Sequence, residues 1–135
     1  MRNINVINQE KRNPLKKLWG YLKSLQSTVI FMQTGAHPDD ETSKLLVRLA
    51  LKDGFHVVYV NAVRGHGGQN SIGPERGDDL GYIRSEELFH AMGVFGADIG
   101  WLSETIEDPI IDFGLSKSGK ETLGIWGEQY TKRQM

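Results

Sequence analysis

Two short apolar runs separated by one amphipathic segment constrain the fold more than any other feature of the sequence. The runs are STVIFMQTG (27–35) and FHVVYVNAV (55–63), and their β-branched and apolar residues are typical of strands buried on both faces. The segment between them, DDETSKLLVRLALKDG (39–54), predicts a helix with Pro38 at its first position, acids in its first turn and Gly54 at its end. A strand, a helix and a second strand in this order predict a βαβ unit with parallel strands.

The rest of the chain extends this unit with further helices and one more strand. The hydrophobic periodicity predicts helices at 14–26, 80–92 and 120–130 and a strand at 96–103. This alternation is typical of an α/β architecture with a largely parallel sheet and flanking helices. With 135 residues, of which 39% are hydrophobic, the chain is long enough for one globular domain with a single core.

The charge and the residue composition exclude several classes of partner and site. The formal net charge is -1, so nothing in the sequence favours a nucleic acid partner. There is no cysteine, so a metal site would have to use His, Asp or Glu. The segment MRNINVINQEKRNPLKKLWG (1–20) has no apolar core of the kind found in signal peptides, and no later run is long enough to span a bilayer. The sequence therefore predicts a cytoplasmic protein without a transmembrane segment.

Two loops of unusual composition follow the first two predicted strands. GAHPDD (35–40) follows the first strand, and the glycine-rich RGHGGQN (64–70) follows the second. In an open α/β sheet, ligands bind beyond the carboxyl ends of the strands. We therefore expect these two loops to converge on one edge of the sheet and to form a site there.

His37, Asp39 and Asp40 in the first loop are the candidate catalytic and metal-binding residues. The spacing of His37 and Asp40 allows an imidazole and a carboxylate to face one point, and these ligands suit zinc or a similar divalent metal. Asp39 points elsewhere and could take a proton from a water that the metal activates. The alternative is that the acids at 39–41 only complement the helix dipole, which is worth roughly 0.3–1 kcal/mol for each acid.

Three segments of the sequence resemble one known family. AHPDDE (36–41) resembles the signature of the PIG-L/LmbE-like family of zinc-dependent N-acetylglucosaminyl deacetylases. VRGHGGQNSIGPERGDDLGYIRSEELFHAMGV (63–94) is similar to the second block of that family, and DFGLSKSGKETLGIWGE (112–128) is similar to a segment of its larger bacterial members. The resemblance runs from about residue 28 to residue 129. It implies a Rossmann-like α/β fold in which 1–27 form an N-terminal helical segment and 28–135 the N-terminal part of the deacetylase domain.

The resemblance also implies roles for individual residues. His37 and Asp40 would be two of three zinc ligands, and Asp39 would be the general base for a water that attacks an acetamide carbonyl. The products would be acetate and a free amine, with an N-acetylated amino sugar as the small-molecule substrate. Arg84 matches a family arginine near the substrate. The alternative for Arg84 is a helix-surface cation paired with Glu86 or Glu87.

The sequence departs from the family pattern in several places, which include Val63 where the family often has a Thr. The third zinc ligand of the family is a histidine far downstream, and this chain ends at Met135 before such a motif, so we expect a truncated domain that self-associates through an uncovered sheet edge. His66 stands where the family often has an acid. It could serve as a substitute ligand or a substrate contact, or it could be an exposed loop histidine, because the neighbouring glycines do not fix its orientation. His56 and His90 are interpreted as structural.

Two further classes of function are compatible with these patterns. Backbone amides of a glycine-rich loop can bind phosphate, which would make the chain a sugar-phosphate-binding module. A nucleotide site is disfavoured, because no GxGxxG follows the first strand and no GxxxxGK[ST] occurs in the chain. The second class is a non-catalytic remnant that keeps the fold and part of the metal site.

Overall fold

A three-stranded parallel sheet forms the centre of the protein. The computed structural model describes residues 14–68, 70–103, 110–112, 116 and 118–135. The strands are β1 (Ile30–Gly35), β2 (His56–Asn61) and β3 (Asp98–Trp101), which lie side by side in the order β1-β2-β3. All pairings are parallel and helices flank the sheet, so the predicted α/β, Rossmann-like architecture is confirmed.

The helices occur where the sequence periodicity places them, with shifted ends. They are α1 (Pro14–Ser24), α2 (Ser43–Arg48), α3 (Asp78–Gly93), α4 (Gly119–Trp126) and α5 (Glu128–Gln134). A π-helical turn (Leu49–Asp53) continues α2, and Gly54 ends it with a φ of 76°, a left-handed angle that glycine adopts without steric cost. Among the helices of the described residues, none combines the length and the apolar character needed to cross a bilayer.

The register of the sheet brings the carboxyl ends of the strands together. Gly35 at the end of β1 lies opposite Asn61 at the end of β2, and Asn61 lies opposite Trp101 at the end of β3. Backbone hydrogen bonds continue beyond the strands. The Ala62 N–H donates to the Gly35 carbonyl, and the Val63 N–H donates to the Ala36 carbonyl. The loops after β1 and β2 therefore start side by side at one edge.

The core lies on one face of the sheet and at its carboxyl end. The larger cluster packs α2 and α3 against β2, and its buried members are Leu46, Val57, Tyr59, Leu88, Met92 and Phe95. A smaller cluster consists of Val63, Ile110 and Trp126. Burying a side chain of this size contributes about 1.5–3 kcal/mol. The two clusters hold the helices and the connection around Ile110 against the sheet.

The expectation that β1 and β2 are buried on both faces is wrong. Val57 and Tyr59 of β2 are buried, whereas Ile30 and Met32 of β1, on the opposite face, are more than half exposed. The reason is that the packed helices cover one face only. Among the described residues, no helix covers the face that carries Ile30 and Met32.

The predicted helix after β1 begins four residues later than expected. It starts at Ser43 and has no acid in its first turn, so Pro38 is not its first residue. Instead, the Asp40 carboxylate accepts hydrogen bonds from the backbone N–H groups of Ala36 and His37. These contacts hold the segment before the helix as a loop. Because Asp40 satisfies loop amides, the helix-dipole alternative loses its structural basis.

The predicted helix at 120–130 is divided into two. Gly127, with a φ of 81°, lies between α4 and α5, and this left-handed angle breaks the continuous helical backbone. The Ser118 hydroxyl accepts a hydrogen bond from the Glu121 N–H and caps the start of α4. The helix thus presents the buried Trp126 to the smaller core cluster.

Tyr59 supplies a pH-dependent contribution to stability. Its side chain is fully buried, and its hydroxyl donates a hydrogen bond to the His37 carbonyl over 3.1 Å. Burial, followed by the nearby carboxylates of Asp40, Glu41 and Asp39, raises the pKa of Tyr59 above its ordinary value near 10. Above pH 10 the unfolded chain loses this proton and the folded chain retains it, so the free energy of unfolding falls as the pH rises.

We predict that the Tyr59→Phe variant shows this effect in chelator-treated protein. At pH 7 the variant is less stable than the wild type by about 1 kcal/mol, because one hydrogen bond is lost. Between pH 10 and pH 11 the free energy of unfolding of the wild type falls by about 1 kcal/mol relative to the variant, because only the unfolded wild type gains a phenolate.

Urea denaturation of both proteins at several pH values measures this difference. Between pH 6 and pH 8 the difference stays constant, which serves as the internal control. A difference that is also constant from pH 8 to pH 11 would show that Tyr59 ionises equally in both states.

Candidate functional site

An open cleft of about 940 Å³ lies at the carboxyl edge of the sheet. The loop after β1, the glycine-rich loop after β2 and the first turns of α3 line this cleft, together with Asp112. The predicted convergence of the two loops is therefore present in the fold. The residues from the first loop that line the cleft are His37, Asp39 and Asp40.

His37 and Asp40 face each other at the end of β1. The Asp40 Oδ2 accepts the Ala36 and His37 N–H groups over 3.0 and 2.8 Å, which fixes the carboxylate. The same Oδ2 lies 3.6 Å from Nδ1 of His37. The Tyr59 hydroxyl donates a hydrogen bond to the backbone carbonyl of His37. The two predicted metal ligands are thus brought together by the backbone of their own loop.

Asp39 points away from this pair and contacts Arg84. Nη2 of Arg84 donates a hydrogen bond to Oδ1 of Asp39 over 2.5 Å, and Nη1 donates to the Gly65 carbonyl over 3.3 Å. The Arg84 side chain is 17% exposed and that of Asp39 is 77% exposed. Arg84 therefore leaves α3 to bind across the cleft, and the described residues show no pairing of Arg84 with Glu86 or Glu87, the alternative that the sequence allows.

The glycines of the second loop permit this close approach. A Cβ at Gly65 or Gly68 would collide with the guanidinium of Arg84, and Gly65 also has a φ of 80°. A Cβ at Gly67 would lie 2.7 Å from the carboxylate of Asp112. The loop is thus rich in glycine because it packs directly against two charged side chains of the cleft.

The same contacts argue against a phosphate-binding loop. The Gly67 N–H donates to Oδ2 of Asp112 over 3.2 Å, and the Gly68 N–H donates to the Gly65 carbonyl over 3.0 Å. The Gly73 N–H donates to the Asn70 side chain. Since these amides already bind acceptors within the protein, they do not form an open cradle for a phosphate.

Asp112 is a site residue that the residue patterns do not reveal. Its Oδ2 lies 3.8 Å from Nε2 of His37, on the side of the imidazole opposite Asp40. An isolated acid in a turn-rich connection carries no signal of such a contact. The available signal is that Asp112 begins DFGLSKSG, one of the segments that resemble the larger members of the family.

His66 lies beside the cleft rather than in its lining. Its side chain is 9% exposed, it packs on Gly81, and its Nε2 lies 3.9 Å from Oδ1 of Asp78. The interpretation of His66 as an exposed loop histidine is therefore wrong, and its role as a ligand or substrate contact stays a prediction. Neither His56 nor His90 lines the cleft, and their structural interpretation stays a prediction.

The donor set fits part of a zinc site. Two ligands of a tetrahedral zinc ion, each about 2.0–2.1 Å from the metal, lie about 3.3 Å apart. The separation of 3.6 Å between Nδ1 of His37 and Oδ2 of Asp40 is close to this value. A catalytic zinc has three protein ligands. Within residues 14–68, 70–103, 110–112, 116 and 118–135, no group of three His, Asp or Glu side chains is arranged to bind one ion.

Comparison with known proteins gives one family. The sequence profile of the family PIG-L, described as GlcNAc-PI de-N-acetylase, matches residues 32–132. Neither a curated protein nor a solved structure gives a significant match to the chain. The matched range contains the carboxyl-terminal part of β1, the loop with His37 and Asp40, the glycine-rich loop and Arg84, which are the elements that build the cleft. The chain therefore belongs to the PIG-L family.

Proposed function

We propose that the protein hydrolyses the acetamide bond of an N-acetylated amino sugar and releases acetate and a free amine. The observation that carries this proposal is the convergence of two pairs in one cleft. His37 and Asp40 face each other on one side, and Asp39 binds Arg84 on the other. A pair of metal-type ligands beside a separately held carboxylate is part of the arrangement that metal-assisted hydrolysis uses.

In this proposal His37 and Asp40 hold a zinc ion or another divalent metal. Such an ion supplies Lewis acidity and lowers the pKa of bound water to about 7. Two backbone N–H groups orient the Asp40 carboxylate. The Tyr59 hydroxyl donates a hydrogen bond to the backbone carbonyl of His37. Ligands that are fixed before binding lose little conformational freedom on binding.

Asp39 is proposed as the general base. Among the described residues, only Arg84 binds its carboxylate, at Oδ1, which leaves Oδ2 to accept a proton from the attacking water. The guanidinium fixes one oxygen of this exposed carboxylate at the lining of the cleft. A base in this position supplies a factor of about 10²–10⁴ in rate.

The cleft suits a small polar substrate. Its volume of about 940 Å³ lies within the range of about 300–1,000 Å³ that is usual for small-molecule sites. Asn70, Ser71 and Glu87 line it beside the charged residues, and such side chains bind sugar hydroxyl groups. This lining supports a sugar-type substrate, in keeping with the family.

A second candidate is a non-catalytic member of the family. It is favoured by the observation that no three metal-type side chains converge among the described residues. In that case His37 and Asp40 would keep the fold of the loop without binding an ion. The amount of bound metal separates the two candidates.

We predict that the purified wild type binds about one zinc ion per chain at neutral pH and that the His37→Ala variant binds none, because His37 supplies a ligand of the site. The measurement is elemental analysis after zinc loading and desalting. His90→Ala is the matched control, because His90 is an exposed histidine outside the cleft, and it is expected to keep the metal. Absence of zinc in the wild type would favour the non-catalytic candidate.

We predict that Asp39→Asn lowers acetate release from N-acetylglucosamine about 10²–10⁴-fold, because the amide cannot accept the proton. Zinc content is expected to stay at the wild-type level, since Asp39 lies apart from the proposed ligands. Asp79→Asn, which removes an exposed acid of α3 outside the cleft, controls for the loss of one charge. An Asp39→Asn protein as active as the wild type would exclude Asp39 as the base.

We also propose that the chain self-associates. The outer strands β1 and β3 have open edges in the described part of the chain, and several apolar side chains of β1 and of the α1 segment are exposed. They are Leu15, Leu18, Trp19 and Leu22 of α1, Leu25 directly after α1, and Ile30 and Met32 of β1. Open strand edges and contiguous apolar surface promote association.

We predict a molecular mass in light scattering that rises with protein concentration. Ile30→Lys is expected to reduce this rise, because it places a charge on the outer strand. Ile72→Lys is the matched control, since Ile72 is an exposed apolar residue on a distant loop. A monomer mass at all concentrations would contradict the proposal.

A further inference from the structure

The segment that carries Asp112 is anchored independently of the cleft. Ile110 is fully buried in the cluster with Val63 and Trp126. The indole N–H of Trp126 donates a hydrogen bond to the Ile111 carbonyl over 2.9 Å. The backbone immediately before Asp112 is therefore fixed by packing and by a hydrogen bond, and this determines where the Asp112 side chain begins.

The Asp112 carboxylate is held between the glycine-rich loop and His37. Its Oδ2 accepts the Gly67 N–H over 3.2 Å and lies 3.8 Å from Nε2 of His37. Both side chains are more than two-thirds shielded from solvent. Gly67 has no room for a Cβ at this point, since that atom would lie 2.7 Å from the carboxylate. The loop backbone thus fits closely around Asp112.

The two carboxylates lie at opposite nitrogens of the His37 ring. Asp40 lies on the Nδ1 side at 3.6 Å, and Asp112 lies on the Nε2 side at 3.8 Å. The two ring nitrogens point in different directions. Asp112, on the Nε2 side, therefore cannot bind the same ion as Asp40 and Nδ1 of His37. An imidazole that binds an ion through one nitrogen carries its proton on the other, where a carboxylate accepts it.

From this geometry we infer that Asp112 is a positioning residue. Its carboxylate, 3.8 Å from Nε2 of His37, attracts a proton on that nitrogen and thereby leaves Nδ1 free of a proton towards Asp40. The part of this inference that concerns metal affinity rests on the proposed function, whereas the orientation of the imidazole does not. Removing a carboxylate that orients a ligating histidine weakens metal binding about 10–100-fold.

Zinc affinity, measured by competition with a chromophoric chelator, tests the inference. We expect Asp112→Ala to weaken binding about 10–100-fold and Asp112→Asn, which keeps an oxygen acceptor, to weaken it less. Gly67→Ala displaces the carboxylate without changing its charge, so a loss of affinity in that variant distinguishes orientation from plain attraction. Asp53→Asn removes an acid at the end of the π-helical turn, away from the cleft, and is expected to have no effect.

The visible spectrum of the cobalt-loaded protein separates positioning from direct ligation. A positioning role leaves the absorption bands of the Asp112 variants at the wild-type energies while the affinity falls. Shifted bands would mean that Asp112 is itself a ligand and would overturn the inference. Unchanged affinity in Asp112→Ala, or a loss in both Asp112 variants with none in Gly67→Ala, would also overturn it.

A second readout uses metal-free protein and does not depend on the proposed function. Nitrogen-15 NMR of the neutral His37 ring gives the fraction of molecules that carry the proton on Nε2. This fraction is expected to be lower in Asp112→Ala than in the wild type. Equal fractions would overturn the inference. A wild type without zinc affinity would overturn the proposed function alone, and the NMR comparison would still decide the role of Asp112.

Discussion

The capture of two loop amides by the Asp40 carboxylate is the interaction on which the rest of the site depends. By accepting the N–H groups of Ala36 and His37, Asp40 turns the chain after β1 into a loop and delays α2 until Ser43. In this loop the acids precede the first turn of the helix, and Asp39 contacts Arg84. The Asp40 carboxylate thus sets the position of the His37–Asp40 pair and of Asp39 in its pair with Arg84.

The glycine-rich loop completes the site by close packing. Its backbone lies against the guanidinium of Arg84 and the carboxylate of Asp112, and those side chains in turn contact Asp39 and His37. The loop therefore affects Asp39 through Arg84 and His37 through Asp112. This explains why glycine is needed at several positions of a loop whose backbone meets Arg84 at the Gly65 carbonyl and Asp112 at the Gly67 N–H.

The sequence predicts the parallel sheet and the place of the site well, because alternating strands and helices leave few arrangements. It places His37 and Asp40 correctly at the end of β1, since their spacing within one loop is local. It does not predict the exposure of Met32, which depends on which face the helices cover. It also misses Asp112, because that contact joins segments far apart in the chain and depends on the anchoring of its own segment by Trp126.

The position of a bound zinc ion is the decisive measurement for the proposed metal site. It is measured as an anomalous difference peak in crystals of the zinc-loaded protein. We expect a peak within coordination distance of Nδ1 of His37 and of the Asp40 carboxylate, with Asp112 on the Nε2 side of the ring. A peak on the Nε2 side of His37, or no peak at this loop, would contradict the proposed metal site.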